Sequence, residues 1–364
     1  MVSTEVIFPP ITTVNLPAAS TGMASRSNAS AVAISGILLL VIGIVLSVIF
    51  ATLPIFAYLF FVWWLDRYDR EPVWLLVLTF AWGGMGGVVL AVVGSLALSL
   101  SMSAVFGIAG SDAMDTVFVA PVVEEITKGL FLLVIFARRD FDNTTDGVVY
   151  GAAAGLGFAA SENFLYFVSA WTEGGAGSWA QTVFLRTLFS GVMHAFATGM
   201  LGAALGYIKF ARSTLLKFVM PIIGLGAAMG IHAFWNGSLV IAGVADSLAP
   251  VALGLVGVPL FGLALFALTQ LSLWTESKTI ALELREETAL GIIPESHLAI
   301  LPFYMRRAGN GWLPATVVKR RYVPLATTLA FRKFQRKRCP PAEVPAFDAE
   351  IAALRAQIRL VLNR

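Results

Sequence analysis

The sequence predicts an all-α, polytopic helical membrane protein with about eight transmembrane helices and a small basic cytoplasmic C-terminal appendage. Three observations carry that reading. The 364-residue chain is 58% hydrophobic and only 13% charged, with a mean hydropathy of +0.81; soluble domains are nearer half apolar and one quarter charged. Its apolar stretches each approach the ~20 residues that a membrane helix needs, and they are too continuous for the alternating strands of a β-barrel. Lys and Arg gather in every second loop, as the positive-inside rule requires.

Residues 1–30 are rich in Ser, Thr, Ala and Pro, carry only Glu5 and Arg26 as charges, and read as a flexible tail. No basic segment precedes a short apolar core, so no cleaved signal peptide is expected. A transmembrane domain then covers 31–274, with apolar segments at about 31–50, 52–65, 73–98, 114–136, 147–170, 185–208, 217–242 and 251–274. The second segment is short. If Pro54 kinks one long helix instead, the number of spans is seven.

Arg67 and Arg70 follow the second segment, Arg138 and Arg139 the fourth, and Lys209, Arg212 and Lys217 the sixth. The loops at 99–113, 171–184 and 243–250 contain no Lys or Arg. Eight spans then place both termini in the cytoplasm of a multi-pass cell-membrane protein. The charged turn at 66–72 reads as a solvated anchor, with Pro72 starting the next helix.

Glycines recur within the spans, and Gly151 and Gly155 form a GxxxG spacing that lets helix backbones approach closely. Residues 275–364 carry fifteen Lys/Arg against eight Asp/Glu. Clusters at 319–321 and 332–338 point to anionic lipid of the inner leaflet, with no nucleic-acid partner. Asp348 reads as the N-cap of a last helix over 349–362, and His297 as a surface histidine. Cys339 is the single cysteine, which excludes an internal disulfide and a cysteine-cluster metal site.

Four apolar segments are interrupted by polar groups. The fourth has Glu124, Glu125 and Lys128, and the fifth Glu162 and Asn163. The sixth has His194 and Thr198, and the seventh His232 and Asn236. Each ionised side chain costs roughly 2.5–3.5 kcal/mol at a bilayer centre, so such residues are functional by default. Glu124 and Lys128 share a helix face and can pair. Glu125 points about 100° away and reads as the freer carboxylate. At ~1.5 Å rise per residue the four groups fall in one layer, roughly 12–15 Å below the outer ends of their helices.

That layer offers carboxylates, imidazoles and an amide. A peptide hydrolase needs a base for water and donors for the developing oxyanion. Glu124 or Glu125 fits the base, and a histidine with Asn236 fits the donors, without a metal. In a second version His194, His232 and a glutamate, here Glu162, bind zinc as a His₂Glu set. A rival reading uses the same carboxylates as the relay of a proton- or cation-coupled transporter, although no repeated halves support it. A packing-only scaffold is the third reading.

Glu124-Glu125-x-x-Lys128, Phe158-x-x-x-Glu162-Asn163, His194-Ala-x-x-Thr198 and His232-Ala-x-x-Asn236, in this order on successive helices, resemble the PrsW family of intramembrane proteases. The 66–72 turn also resembles a feature of that family. The resemblance covers about 60–280. It implies cleavage of a membrane-anchored protein near the outer leaflet, with an anti-sigma factor as the best-known substrate type. It also implies that Glu124, Glu125, His194 and His232 are essential and that Asn236 supports them. The family is classed with metallopeptidases, while its prenyl-endopeptidase relatives look glutamate-dependent.

Overall fold

A computed structural model describes residues 25–106 and 112–362, and every regular element among them is helical. The helices are α1 (Ser25–Leu65), α2 (Val73–Ala81), α3 (Val88–Phe106), α4 (Asp112–Met114), α5 (Ala120–Phe136), α6 (Thr144–Leu185) and α7 (Gly191–Ile208). They continue with α8 (Thr214–Ala245), α9 (Ala249–Ala289), α10 (Glu295–Leu298), α11 (Tyr304–Ala308), α12 (Lys319–Arg336) and α13 (Val344–Val361). Short π-helical stretches at Trp82–Gly87, Asp115–Val119 and Arg186–Ser190 join α2 to α3, α4 to α5 and α6 to α7.

The first two expected spans are one helix. α1 passes through Pro54 without a break, because losing one backbone donor is tolerable when the rest of the ladder persists. The expectation of eight separate spans is corrected accordingly, and with it the basis for placing both termini on one side. The tail expected at 1–30 lies outside the described residues up to 24, and 25–30 already belong to α1.

Among the described residues, five helical stretches are long and apolar enough to cross a membrane, including Thr144–Ile208 with 65 residues. That stretch folds back on itself at Gly175, whose φ of 68° and ψ of −166° lie outside the helical region. α6 and α7 are therefore an antiparallel pair. A β-carbon on Gly147 would strike the Gly202 carbonyl, one on Gly151 the Thr198 carbonyl, and one on Gly155 the His194 carbonyl. These pairings run in opposite directions along the two helices and centre on the bend. A glycine on at least one side of each contact lets the two backbones approach so closely.

From Gly147 to Ala160 every residue of α6 is buried, with α1, α2, α5, α7 and α9 packed around it. Outward-facing residues such as Leu38, Phe60, Val89, Leu133, Ile222 and Leu263 are large, apolar and exposed, as a lipid-facing surface should be.

α9 runs past the expected end at 274 to Ala289. Its Ile280 and Leu284 join Tyr322, Leu329, Ile351 and Ile358 in a second hydrophobic core. His297 is buried, with Nδ1 2.9 Å from the Tyr322 hydroxyl; it is not the surface histidine expected. α13 begins at Val344, so Asp348 lies inside it and pairs with Arg336 instead of capping. In the basic 332–338 cluster Lys333 is buried, Arg332 is partly covered, and Arg336, Lys337 and Arg338 are exposed. Lys333 bonds Glu287, and Lys337 lies 2.6 Å from Glu283. Arg332 lies 3.2 Å from Glu350.

Candidate active site

The polar groups of four helices meet. Lys128 of α5 is fully buried, and its ammonium lies 2.8 Å from Glu125 Oε1, 3.2 Å from Glu124 Oε2 and 2.9 Å from His194 Nδ1 on α7. It also sits 4.0 Å above the Phe158 ring of α6. Glu125 accepts further from Thr198 Oγ1 at 2.8 Å and from His232 Nδ1 of α8 at 3.0 Å. The two imidazoles stand edge to face with centroids 4.8 Å apart.

Protons can be assigned from these partners. An ammonium only donates, so His194 Nδ1 accepts from it and the neutral ring carries its proton on Nε2. That Nε2 lies 2.8 Å from Glu162 Oε2. A carboxylate only accepts, so His232 holds its proton on Nδ1. Its Nε2 lone pair is left facing Glu124 Oε2 at 3.9 Å.

The expected roles of the two adjacent carboxylates are reversed. Glu125 is the tied one, with three donors and no exposure. Glu124 takes the single, longer bond from Lys128, and its side chain is 11% exposed. Helix rotation did separate them by about 100°, but Glu125 turned toward α7 and α8, where the donors are. Glu124 turned toward a cavity of about 30 Å³ that it lines with Ser95, Phe158, Glu162 and Tyr166. A water requires about 10–15 Å³ by this measure, so one or two fit between the two carboxylates.

Arg186 was not among the residues singled out from sequence. It pairs with Glu162 at 2.8 Å, donates from Nε to Asn163 Oδ1 at 2.9 Å and lies 3.7 Å over the Tyr166 ring. Its signal was available: an arginine at the end of an apolar run that the loop charges assign to the outer side runs against the positive-inside pattern. It belongs to the π-helical stretch before α7, and a second such stretch precedes α5. π-bulges are frequent at functional sites, but nothing in the local sequence marks them.

Asn236 falls outside this network. Its Nδ2 donates to the Thr116 carbonyl at 2.9 Å, so it braces the lead-in to α5. Asn163 bridges to Arg186, and Thr198 bonds Glu125 rather than its own helix.

A family model for "PrsW family intramembrane metalloprotease" matches residues 71–266. The chain belongs to the PrsW family of intramembrane metalloproteases. It is 29% identical over 189 residues to Protease PrsW of Oceanobacillus iheyensis, which covers 50% of this chain and 78% of that one. It is 30% identical over 147 residues to Protease PrsW of Geobacillus kaustophilus, covering 40% of this chain and 59% of the relative. Against Protease PrsW of Bacillus subtilis the figures are 28% over 147 residues, 40% and 61%. The latter two alignments thus span less than two thirds of those relatives. No solved structure matches. The PrsW match begins at the 66–72 turn and includes all four polar helices, so the protein is a multi-pass membrane peptidase by family.

A metal is implied by that family, and the residues fit one. Glu124, His194 and His232 each offer a ligand atom, all within 4.8 Å of one another. Two imidazoles and a carboxylate are a zinc-type set. Across the site Glu124, Glu125 and Glu162 face Lys128 and Arg186, which leaves one net negative charge for a cation to meet. His232 Nε2 already presents a lone pair. His194 would join by releasing the Nε2 proton that it now shares with Glu162, since metal binding displaces ligand protons. Glu162, expected among the ligands, lies beside that nitrogen and would either coordinate or take up the proton.

Proposed function

We propose that this chain hydrolyses a peptide bond of a membrane-anchored protein within the bilayer, with Glu124 as general base. The observation that carries the reading is the water-sized pocket between Glu124 and Glu162, lined on its other sides mainly by apolar residues and backed by the Lys128–Glu125–His232 network. Glu124 has spare acceptor capacity toward that cavity, so it can take a proton from water. Lys128 and Arg186 hold positive charge beside both carboxylates as the proton moves. Glu125 positions Lys128, His232 and Thr198. In the metal-bound alternative, Glu124 would serve with His194 and His232 as a ligand of the ion, zinc by donor chemistry, and the ion in place of the Glu124 base would supply Lewis acidity and acidify water.

The substrate class proposed is a single-span protein, such as an anti-sigma factor, entering from the lipid. With α1 as one crossing, seven traverses keep the basic loops and residues 275–364 in the cytoplasm and put the N-terminal end outside. Within that region, the exposed Arg320, Arg321 and Arg338, with the exposed but paired Arg336 and Lys337, are the residues offered to anionic lipid.

Purified protein in proteoliposomes, incubated with a single-span substrate, tests the reading. Wild type should cleave, Glu124→Gln and His194→Ala should not, and metal analysis should find one zinc lost in His232→Ala. Cleavage by Glu124→Gln at the wild-type rate would overturn the assignment. Wild-type turnover in metal-free protein would leave the glutamate mechanism alone standing.

A further inference from the structure

A second group of buried carboxylates lies at the other end of α6. Asp66 and Glu71 come from the turn between α1 and α2, and Asp146 from the first turn of α6. They are 1%, 4% and 1% exposed, and one oxygen from each lies within 4.8 Å of the others. Asp146 and Glu162 are sixteen residues apart on α6, about 24 Å along the axis, so this group is separate from the peptidase site.

Its oxygens are divided between committed and bare. Asp146 Oδ2 accepts the backbone N–H groups of Asp142 at 2.7 Å and Asn143 at 3.0 Å, closing the capping box that starts α6. Glu71 Oε2 accepts the Tyr150 hydroxyl. Asp146 Oδ1 and Asp66 Oδ2 are buried with no hydrogen-bond partner, and so is Oε2 of Glu276 on α9. A buried carboxylate oxygen without a partner costs more than almost any other group.

Among the described residues, no basic side chain forms an ion pair with them. Arg67 lies over the Trp64 and Tyr304 rings, Arg70 over Trp63, and Arg307 bonds Thr327 and the Arg67 carbonyl. Burial and the negative charges of Glu276, Glu71, Asp69 and Asp142 push Asp66 well above the usual carboxylate range. Burial takes Glu71 up to about 8 despite its hydrogen bonds.

We infer that Asp66, Glu71 and Asp146 bind a hard divalent cation, with Glu276 beside it. Donors within 4.8 Å of one another fit a single ion whose oxygen ligands lie at roughly 2.0–2.6 Å. An all-oxygen set selects Mg²⁺, Mn²⁺ or Ca²⁺ over zinc. The ion would tie the 66–72 turn to the start of α6. It would also draw in α9, because Glu276 Oε1 accepts from Thr145 at 2.7 Å. Its role is to clamp three helices at the basic-loop end of the bundle whose other end carries the peptidase site.

The test uses full-length, chelator-treated protein in detergent, with Mn²⁺ as probe and loss of the free Mn²⁺ paramagnetic signal as readout. Wild type should bind one Mn²⁺ that Mg²⁺ displaces, and the ion should raise the unfolding midpoint. The double variant His194→Ala/His232→Ala should keep this site, while Asp66→Asn and Glu71→Gln should each weaken it at least tenfold. No Mn²⁺ bound by wild type at millimolar concentration would overturn the inference. So would binding that survives both Asp66→Asn and Glu71→Gln but disappears with the histidines. If Asp66→Asn does not fold, Glu71→Gln and the wild-type titration decide. Variants more stable than wild type, without Mn²⁺ binding, would show that shared protons hold the cluster instead.

Discussion

Adjacent glutamates 124 and 125 should fail in opposite ways when each loses its charge. In Glu125→Gln the amide oxygen can still accept from Lys128 and His232, and the new NH₂ meets a Thr198 hydroxyl that can turn to accept it. Shape is kept and charge is lost. Bonds to a charged group contribute about 1.5–3 kcal/mol against about 0.5–1.5 for neutral ones. Two such bonds are downgraded, and Lys128 keeps only Glu124 as a direct counter-charge, so the expected destabilisation is roughly 2–3 kcal/mol. In Glu124→Gln one 3.2 Å bond is downgraded on a partly exposed side chain, an expected cost of about 1 kcal/mol. Cleavage should respond the other way, with Glu124→Gln losing about 10²–10⁴-fold as a general base does and Glu125→Gln losing less well below its unfolding temperature. Unfolding followed by the fluorescence of the nine tryptophans, beside cleavage of a single-span substrate, measures both. A Glu125→Gln protein as stable as wild type, with Glu124→Gln cleaving within a few-fold of it, would refute the division of roles.

Gly155→Val should cut cleavage at least tenfold and destabilise by roughly 1–3 kcal/mol, the usual range for overpacking, because its β-carbon falls on the His194 carbonyl; an unchanged melt and rate would contradict the close approach. Arg186→Lys should restore only part of the activity lost in Arg186→Leu, because an ammonium cannot match the guanidinium's simultaneous hold on Glu162, Asn163 and the Tyr166 ring; equal rates for Lys and Arg would show that charge alone matters. Glu71 holds its proton to about pH 8 when folded, against 4.5 for the free side chain. The folded state therefore binds more protons between those values, and cation-free protein should lose stability as pH rises from about 4.5 to about 8. Glu71→Gln should flatten that slope in a pH series of denaturation midpoints, and saturating Mn²⁺ should flatten it in wild type.

The four polar helices could be read from sequence because an ionisable residue in an apolar run stands out against its background, and helical rise places it in depth. Glu124, Glu125, Lys128, Glu162, His194 and His232 were all legible this way, and the structure brings them together. Asn236 was equally visible but braces Thr116, since depth does not fix the direction in which a side chain points. The first two spans merged because a proline inside an apolar run is compatible with both a break and a continuous helix. Arg186 was passed over as part of a span, although its sign conflicted with its side of the membrane. The partnerless oxygens of Asp66 and Asp146 were invisible, because their turn reads as solvated until α6 is seen to cover it.

Hydropathy and the spacing of a few charges determined by themselves that this chain is a helical membrane protein with a carboxylate–imidazole layer, because burying charge in lipid is costly enough to be conspicuous in any window of sequence. Which glutamate faces water, which nitrogen of each histidine is bare and which carboxylates lack a partner were decided only by the tertiary structure. Those properties depend on contacts between residues far apart in the chain, where a few degrees of helix rotation choose between a donor and a cavity.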